Sequence, residues 1–410
     1  MRVLINFLPL LGRGGGRQNA MNLWAALARH GGAGHRWLAV CRSNLALPDP
    51  PVGSGMEVAI LPVEGAGLGG GRFRAENLEL PRLARRFGAE LIFTPMGTGP
   101  LHSGVPRVAG WHDGTAVYPE SPMWVGLPTA ELLAQRLRTA YAAAALRGAA
   151  RVCVQTSTMG RRVSAVLGVP PERIRVVPNG LSSFLAGEAP AGEGPGIGDA
   201  GSGGAWLAPR RVLVVTTTMP AKNLPALPRI ARALAALGVD GVEIVATLTP
   251  EAGAREMGLE PPPAAASSVG AHGGGGGPDG GVVVPGAVPV RCIGGVPHER
   301  LGDLYRSGSA VLVPSWVESF TAVYPEAWHF GLPVVTSDLD FARDLCGKAA
   351  LYAPPARPDA FALQLLRALT DDPLRRALDL AGRVRLAALP DWDRRLELYL
   401  AALDEATAMG

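Results

Sequence analysis

Short apolar runs alternate with stretches of helical spacing along most of the chain. Strands are expected at 2–8, 37–41, 56–62, 90–94, 107–111 and 151–155, and again at 212–217, 242–247, 310–313 and from 334. Between them, apolar residues recur every three or four positions, as Leu23, Ala26 and Leu27 do within 19–30. Further helices are expected at 80–87, 129–146, 157–167, 224–237, 301–306, 326–330, 359–369, 374–386 and 396–406. Strand and helix in alternation predict α/β domains with parallel sheets. A Gly-, Ala- and Pro-rich stretch, 185–210, separates two such series and reads as a flexible insertion. A second stretch, 250–289, holds PPPAAASS and five consecutive glycines and is expected to be disordered. The division is therefore 1–184, a linker 185–210, 211–390 and a terminal segment 391–410.

At 410 residues the chain has room for two domains, and 48% apolar with 18% charged residues describes a globular protein. A net charge of +4 without a basic run gives no reason to expect nucleic acid. Cys41, Cys153, Cys292 and Cys346 are far apart and form no C-x-x-C, so free thiols are expected rather than a disulfide frame or zinc site. Asn6 and Pro9 interrupt the apolar start, which reads as a buried strand and not a signal peptide. No apolar run reaches the roughly 20 residues of a membrane helix. The expected place is the cytoplasm, with peripheral contact at the inner membrane face left open.

The chemistry gathers at strand ends. Glu318 follows the strand 310–313, and Glu326 lies in the helix after it, ahead of Gly331-Leu332-Pro333. Lys222-Asn223 follows the strand 212–217, and Lys222 is one of only two lysines in the chain, with Lys348. His112-Asp113 follows the strand 107–111. Residues 11–16 (LGRGGG) form a glycine loop ahead of a helix, an arrangement in which backbone N–H groups suit a phosphate. A dinucleotide fingerprint fails: Gly12 and Gly14 fit, but Arg17 stands where a third glycine belongs, and no acid follows the second strand. Ligands in open α/β sheets bind at this edge.

Glu318-Ser319-Phe320-Thr321, Glu326-Ala327 and Gly331-Leu332-Pro333-Val334 together resemble the two-glutamate motif of glycosyltransferase family 4. Gly14-Gly15-Gly16 with Asn22-Leu23, His112-Asp113 with Tyr118-Pro119-Glu120, the segment 172–180, Lys222-Asn223 and Gly295 fit the same family in order. Ser319 and Thr321 replace two glycines of its motif, and Thr217 stands where it often has an arginine; Arg13 and Arg17 are alternative cations.

The resemblance implies two facing Rossmann-like domains of the B-type glycosyltransferase fold, with the site in the cleft and the terminal helix packed back on the first domain. It implies a retaining hexosyltransferase using a nucleotide diphosphate-sugar, with a lean toward mannosyl- or rhamnosyl-type donors. The acceptor would be a glycan, a lipid-linked molecule or a small molecule. Glu326 would bind the ribose, Glu318 the sugar hydroxyls, and His112 the sugar face. Lys222, Asn223, Gly295, the first glycines and the backbone of Ser319, Phe320 and Thr321 would hold the donor's diphosphate end. No cofactor or metal is expected: Asp338-Leu339-Asp340 spells D-x-D, but its place after a strand predicts a turn or helix cap at Asp338. A nucleotide- or glycan-binding member without turnover, and a sugar-nucleotide epimerase, remain as alternatives.

Overall fold

The chain folds as two units, each built on its own seven-stranded sheet. The computed structural model describes residues 1–10, 14–63, 70–188, 209–260, 281–282 and 284–408. Unit 1 comprises Met1–Pro119, Gly126–Gly180 and Pro390–Gly410; unit 2 comprises Glu120–Val125 and Leu181–Leu389. The boundary falls at Gly180, and a six-residue piece of the first half, Glu120–Val125, belongs with unit 2.

Unit 1 contains β1 (Arg2–Asn6), β2 (Arg36–Arg42), β3 (Met56–Leu61), β4 (Leu91–Thr94), β5 (Arg107–Gly110), β6 (Arg151–Val154) and β7 (Ile174–Val176). All pair in parallel, in the order β3-β2-β1-β4-β5-β6-β7. Strands covered on both faces are apolar throughout, and Val3, Leu4 and Ile5 are fully buried. Its helices are α1 (Gly14–Arg29), α2 (Gly70–Arg74), α3 (Leu80–Phe87), α4 (Thr129–Arg147) and α5 (Ser157–Leu167). The late helix Trp392–Thr407 also packs here, placing Leu396, Tyr399, Leu403 and Ala406 in one core with β1 and α1. Its Glu405 binds Arg151 and Arg175, both at 2.7 Å, and these two guanidinium groups hold the carboxyl below the usual range.

Unit 2 contains α6 (Ser183–Ala186), β8 (Arg210–Val214), α7 (Leu227–Ala236), β9 (Val242–Ala246), α8 (Pro250–Met257), β10 (Gly281–Val282), β11 (Val290–Cys292), α9 (Leu301–Arg306), β12 (Ala310–Val313), α10 (Val323–His329), β13 (Val334–Ser337), α11 (Asp340–Cys346), β14 (Leu351–Ala353), α12 (Pro358–Thr370) and α13 (Asp372–Ala387). The order is β10-β11-β9-β8-β12-β13-β14, parallel except for β10 on β11. Strand order reverses between β8 and β12, so their C-terminal ends open a crevice where α/β sheets take ligands.

Two expectations are corrected. The glycines Gly14, Gly15 and Gly16 are the first turn of α1 rather than part of a loop, so the helix starts five residues before the expected Asn19. The stretch 250–289 is not uniformly irregular: Pro250–Met257 is helical, with Thr249 accepting the Ala252 N–H at 3.3 Å and Gly258 closing it at φ 67°. Thr at the cap, Pro in the first turn and Gly at the end are ordinary helix boundaries, outweighed in the sequence reading by the polyglycine beyond. Residues 261–280 and 283, and 189–208 of the linker, lie outside the described residues, as do Gly12 and Arg13.

Between β4 and β5 the Gly97 N–H donates to the Gly110 carbonyl at 2.7 Å. Gly97 has φ 147°, and a Cβ on Gly110 would collide with the carbonyl of Pro95. Gly110→Ala should therefore destabilise unit 1 by about 1–3 kcal/mol, as overpacking against rigid backbone does. Urea unfolding followed by tryptophan fluorescence checks this; an unchanged midpoint would show that the end of β5 and the loop at Pro95 can part freely.

Candidate functional site

In unit 2 the turns after β8 and β12 meet. After β8 the chain crosses the short 3₁₀ turn Pro220–Lys222 and reaches Asn223 at φ 53°, a left-handed conformation uncommon outside glycine. The Asn223 side chain offsets this cost by donating to the carbonyls of Pro314 (3.0 Å) and Pro355 (3.1 Å). Its amide protons are thus spent on loop geometry, which makes Asn223 a support for Lys222 in this structure. The next loop is pinned from the other side, because the Trp316 N–H donates to the Ala221 carbonyl at 2.7 Å.

This double clamp brings Lys222 Nζ to 2.7 Å from Glu318 Oε1. The same oxygen accepts the Ser315 hydroxyl at 2.7 Å. Glu318 Oε2 takes no protein hydrogen bond among the described residues. Lys222 keeps two further N–H donors beyond the one it gives Glu318. Just downstream, the backbone N–H groups of Ser319, Phe320 and Thr321 donate to no protein acceptor among the described residues. One cation, one carboxylate oxygen and three consecutive amide protons therefore stand together at the sheet's switch point. Such a set can hold an oxyanion beside a hydroxyl.

Glu326 lies on α10 and is 4% exposed. Its Oε1 accepts the Ser182 hydroxyl and its Oε2 the Tyr305 hydroxyl, each at 2.7 Å. Burial raises this carboxyl above its usual range, and the two hydroxyls pull it partly back; burial and the adjacent carboxylate hold the Tyr305 phenol well above its own. Gly295 sits in the loop after β11, where a Cβ would meet nothing; its neighbour Gly294, at φ 80°, is the position that needs glycine. Thr217 is exposed on the loop after β8.

Unit 1 carries His112 at the end of β5. Its Nδ1 donates to the Gly110 carbonyl at 3.2 Å, and its Nε2 is buried without a partner among the described residues. Burial, and then the charge of Arg395, pull its pKa down to about 3, against the smaller opposing effect of the Gly110 bond. The imidazole is therefore neutral and offers a bare acceptor. Asp113 serves the turn, accepting the N–H and hydroxyl of Thr115 at 2.8 and 2.5 Å. Gly14, Gly15, Gly16 and Arg17 stand at the start of α1, in the same unit as His112.

Among the described residues Asp338 accepts no turn or helix-cap hydrogen bond. Leu339 occupies the cap position of α11, and Asp338 instead pairs with Arg343 at 2.7 Å. Sequence reading also missed Ser182, Tyr305 and Ser315. None of them belongs to a motif, although Ser315 lies three residues before Glu318 and Ser182 two residues past the segment 172–180.

A model described as "Glycosyl transferase 4-like domain" matches residues 14–180, and one described as "Glycosyl transferases group 1" matches 278–371. Among curated relatives, an O-antigen chain mannosyltransferase B of Escherichia coli is 36% identical over 83 residues, covering 20% of this chain and 22% of the relative. A D-inositol 3-phosphate glycosyltransferase 1 of Catenulispora acidiphila is 34% identical over 114 residues, 26% and 27% of the two chains. The matched stretches thus span about a quarter of these relatives' lengths. The sucrose-phosphate synthase of Thermosynechococcus elongatus superposes over 100% of both chains with a TM-score of 0.66 at 18% identity, a likeness of fold. The two matched domains, taken with the two-sheet architecture of the B-type fold, show that the chain belongs to the family 4 type of glycosyltransferases.

Proposed function

We propose that this protein is a retaining hexosyltransferase that moves a sugar from a nucleotide diphosphate-sugar to a hydroxyl of a glycan, lipid-linked or small-molecule acceptor. The observation that carries the reading is the cluster at the β8–β12 crevice: Lys222 paired with Glu318 beside three unused N–H groups. As the glycosidic bond breaks, negative charge grows on the departing diphosphate. Lys222 and the N–H groups of Ser319, Phe320 and Thr321 stabilise it, with donors already fixed in place. Glu318 accepts a hydroxyl of the transferred sugar through Oε2, and Glu326 accepts from the nucleotide ribose. The neutral His112 accepts from the sugar face through Nε2. The mannosyltransferase among the relatives supports a mannosyl- or rhamnosyl-type donor. Peripheral membrane contact is assigned to α4, whose Leu133 and Leu137 are 57% and 64% exposed beside Arg136 and Arg138. No helix among the described residues is long and apolar enough to cross a membrane.

Lys222→Ala should slow transfer on the order of 10²–10³-fold, the effect of losing one charge-stabilising donor. It should weaken a nucleoside diphosphate more than the nucleoside. Equal affinity of parent and variant for both ligands would remove Lys222 from the phosphate site. A parent that binds nucleotide but transfers nothing to any acceptor would favour the binding-only reading that Thr217 suggests.

His112→Ala should lower turnover more than nucleotide affinity. The same histidine sets an acid dependence of stability. The unfolded chain takes up its proton near 6.5 and the folded chain only near 3, so this stabilisation is complete above pH 6.5 and falls as pH drops toward 3. Denaturant titrations at pH 7 and pH 5 should show a smaller loss in His112→Gln than in the parent; equal losses would deny the buried neutral imidazole.

Transfer is proposed to need no divalent cation, since Lys222 and backbone N–H groups supply the compensation and Asp338 is engaged by Arg343. Initial rates should survive EDTA. Activity abolished by EDTA, restored by manganese and lost in Asp338→Ala would relocate the phosphate site.

A further inference from the structure

Glu326 is withdrawn from water with one neutral hydroxyl on each oxygen, and the two hydroxyls come from different parts of unit 2. Tyr305 projects from α9, and its ring stacks on Phe330 with centroids 5.5 Å apart and planes 7° apart, which leaves the hydroxyl one place to point. Ser182 stands at the N-cap position of α6, at the start of unit 2. Its segment is pinned by the fully buried Leu185, by Phe184 against His298 at 4.8 Å, and by Glu188, which pairs with Arg306 at 2.5 Å and accepts from His329 Nε2 through its carbonyl at 3.1 Å. Both hydroxyls are thus held by packing that does not involve Glu326.

A carboxylate has about four acceptor positions, two on each oxygen. Ser182 and Tyr305 take one on each and leave one on each. Two adjacent acceptors on a fixed carboxylate suit the two neighbouring hydroxyls of a ribose cis-diol. We propose that Ser182 and Tyr305 are positioning residues that aim Glu326 at this diol and so set the preference for ribonucleotides over 2′-deoxyribonucleotides. The inference rests on the ribose assignment of Glu326. It adds a residue from the crossover between the units to donor recognition, because Ser182 lies two positions past Gly180, where unit 1 hands the chain to unit 2.

The test is calorimetric titration with UDP, GDP and ADP, then with the 2′-deoxy counterpart of whichever binds. The parent should prefer the ribonucleotide by about tenfold or more, the worth of one hydrogen bond to a charged acceptor. Ser182→Ala and Tyr305→Phe should each lower ribonucleotide affinity by about 3- to 10-fold and change the deoxy form less, so that the preference shrinks. Ser182→Thr, which keeps the hydroxyl, should restore it. Tyr305→Phe retains the ring stack, so it reads the hydroxyl alone, and a melting curve for each variant confirms the fold. Full preference in both variants, with loss in Glu326→Gln, would overturn the positioning role and leave the ribose assignment standing. Full preference in Glu326→Gln would overturn both.

Discussion

The contact between Lys222 and Glu318 depends on a register set elsewhere. Ala310 lies opposite Val212 and Val311 opposite Leu213, so β8 and β12 end side by side and deliver their loops to one place. Everything that follows in the crevice is arranged around the resulting ion pair. The left-handed Asn223 turns the lysine inward, Ser315 fixes the carboxylate, and the loop beyond it runs on with amide protons that meet no acceptor among the described residues. A half-buried pair of this kind is screened less by salt than a surface pair. Its gain in stability is modest, because desolvation offsets attraction. Its value is geometric: it holds a flexible ammonium in one position before any ligand arrives.

Much of this was legible in the chain. Alternating strands and helices announced two parallel-sheet domains, because strands buried on both faces must be continuously apolar. The residues Lys222, Glu318 and Glu326 stood out at strand ends or inside a motif. What the sequence could not display were partnerships between distant segments. Lys222 and Glu318 are 96 positions apart, and Ser182 and Glu326 are 144 apart. No local pattern encodes such pairs; they exist only once register and crossovers are fixed. The sequence reading gave Lys222 to phosphate and Glu318 to sugar as separate duties, whereas the structure joins them in one unit.

Two of the local misreadings share a cause. Glycine in the sequence reads as a sign of irregular chain at Gly14, Gly15 and Gly16 and near Pro250. Glycine costs up to about 1 kcal/mol in a helix relative to alanine. In α1 that cost falls on one turn and is offset by the burial of Leu23, Trp24 and Leu27 further along. Near Pro250 the capping residues were present, and the glycines that obscured them lie beyond the helix. Composition averages over such boundaries; capping chemistry locates them.

Unit 1 is completed by a helix, Trp392–Thr407, that is synthesised after the whole of unit 2. Until those residues leave the ribosome, the face formed by β4, β5, β6 and α1 lacks the cover that Leu396, Tyr399, Leu403 and Ala406 provide. Unit 2 can therefore finish folding while its predecessor still presents apolar surface, the reverse of the usual order for successive domains. The last contacts to form also bring in Arg395, whose charge adds to burial in depressing His112. A nascent chain would form the β8–β12 crevice before His112 reaches its final electrostatic setting. Maturation of the two units would thus be separable in time, with the surroundings of His112 completed last.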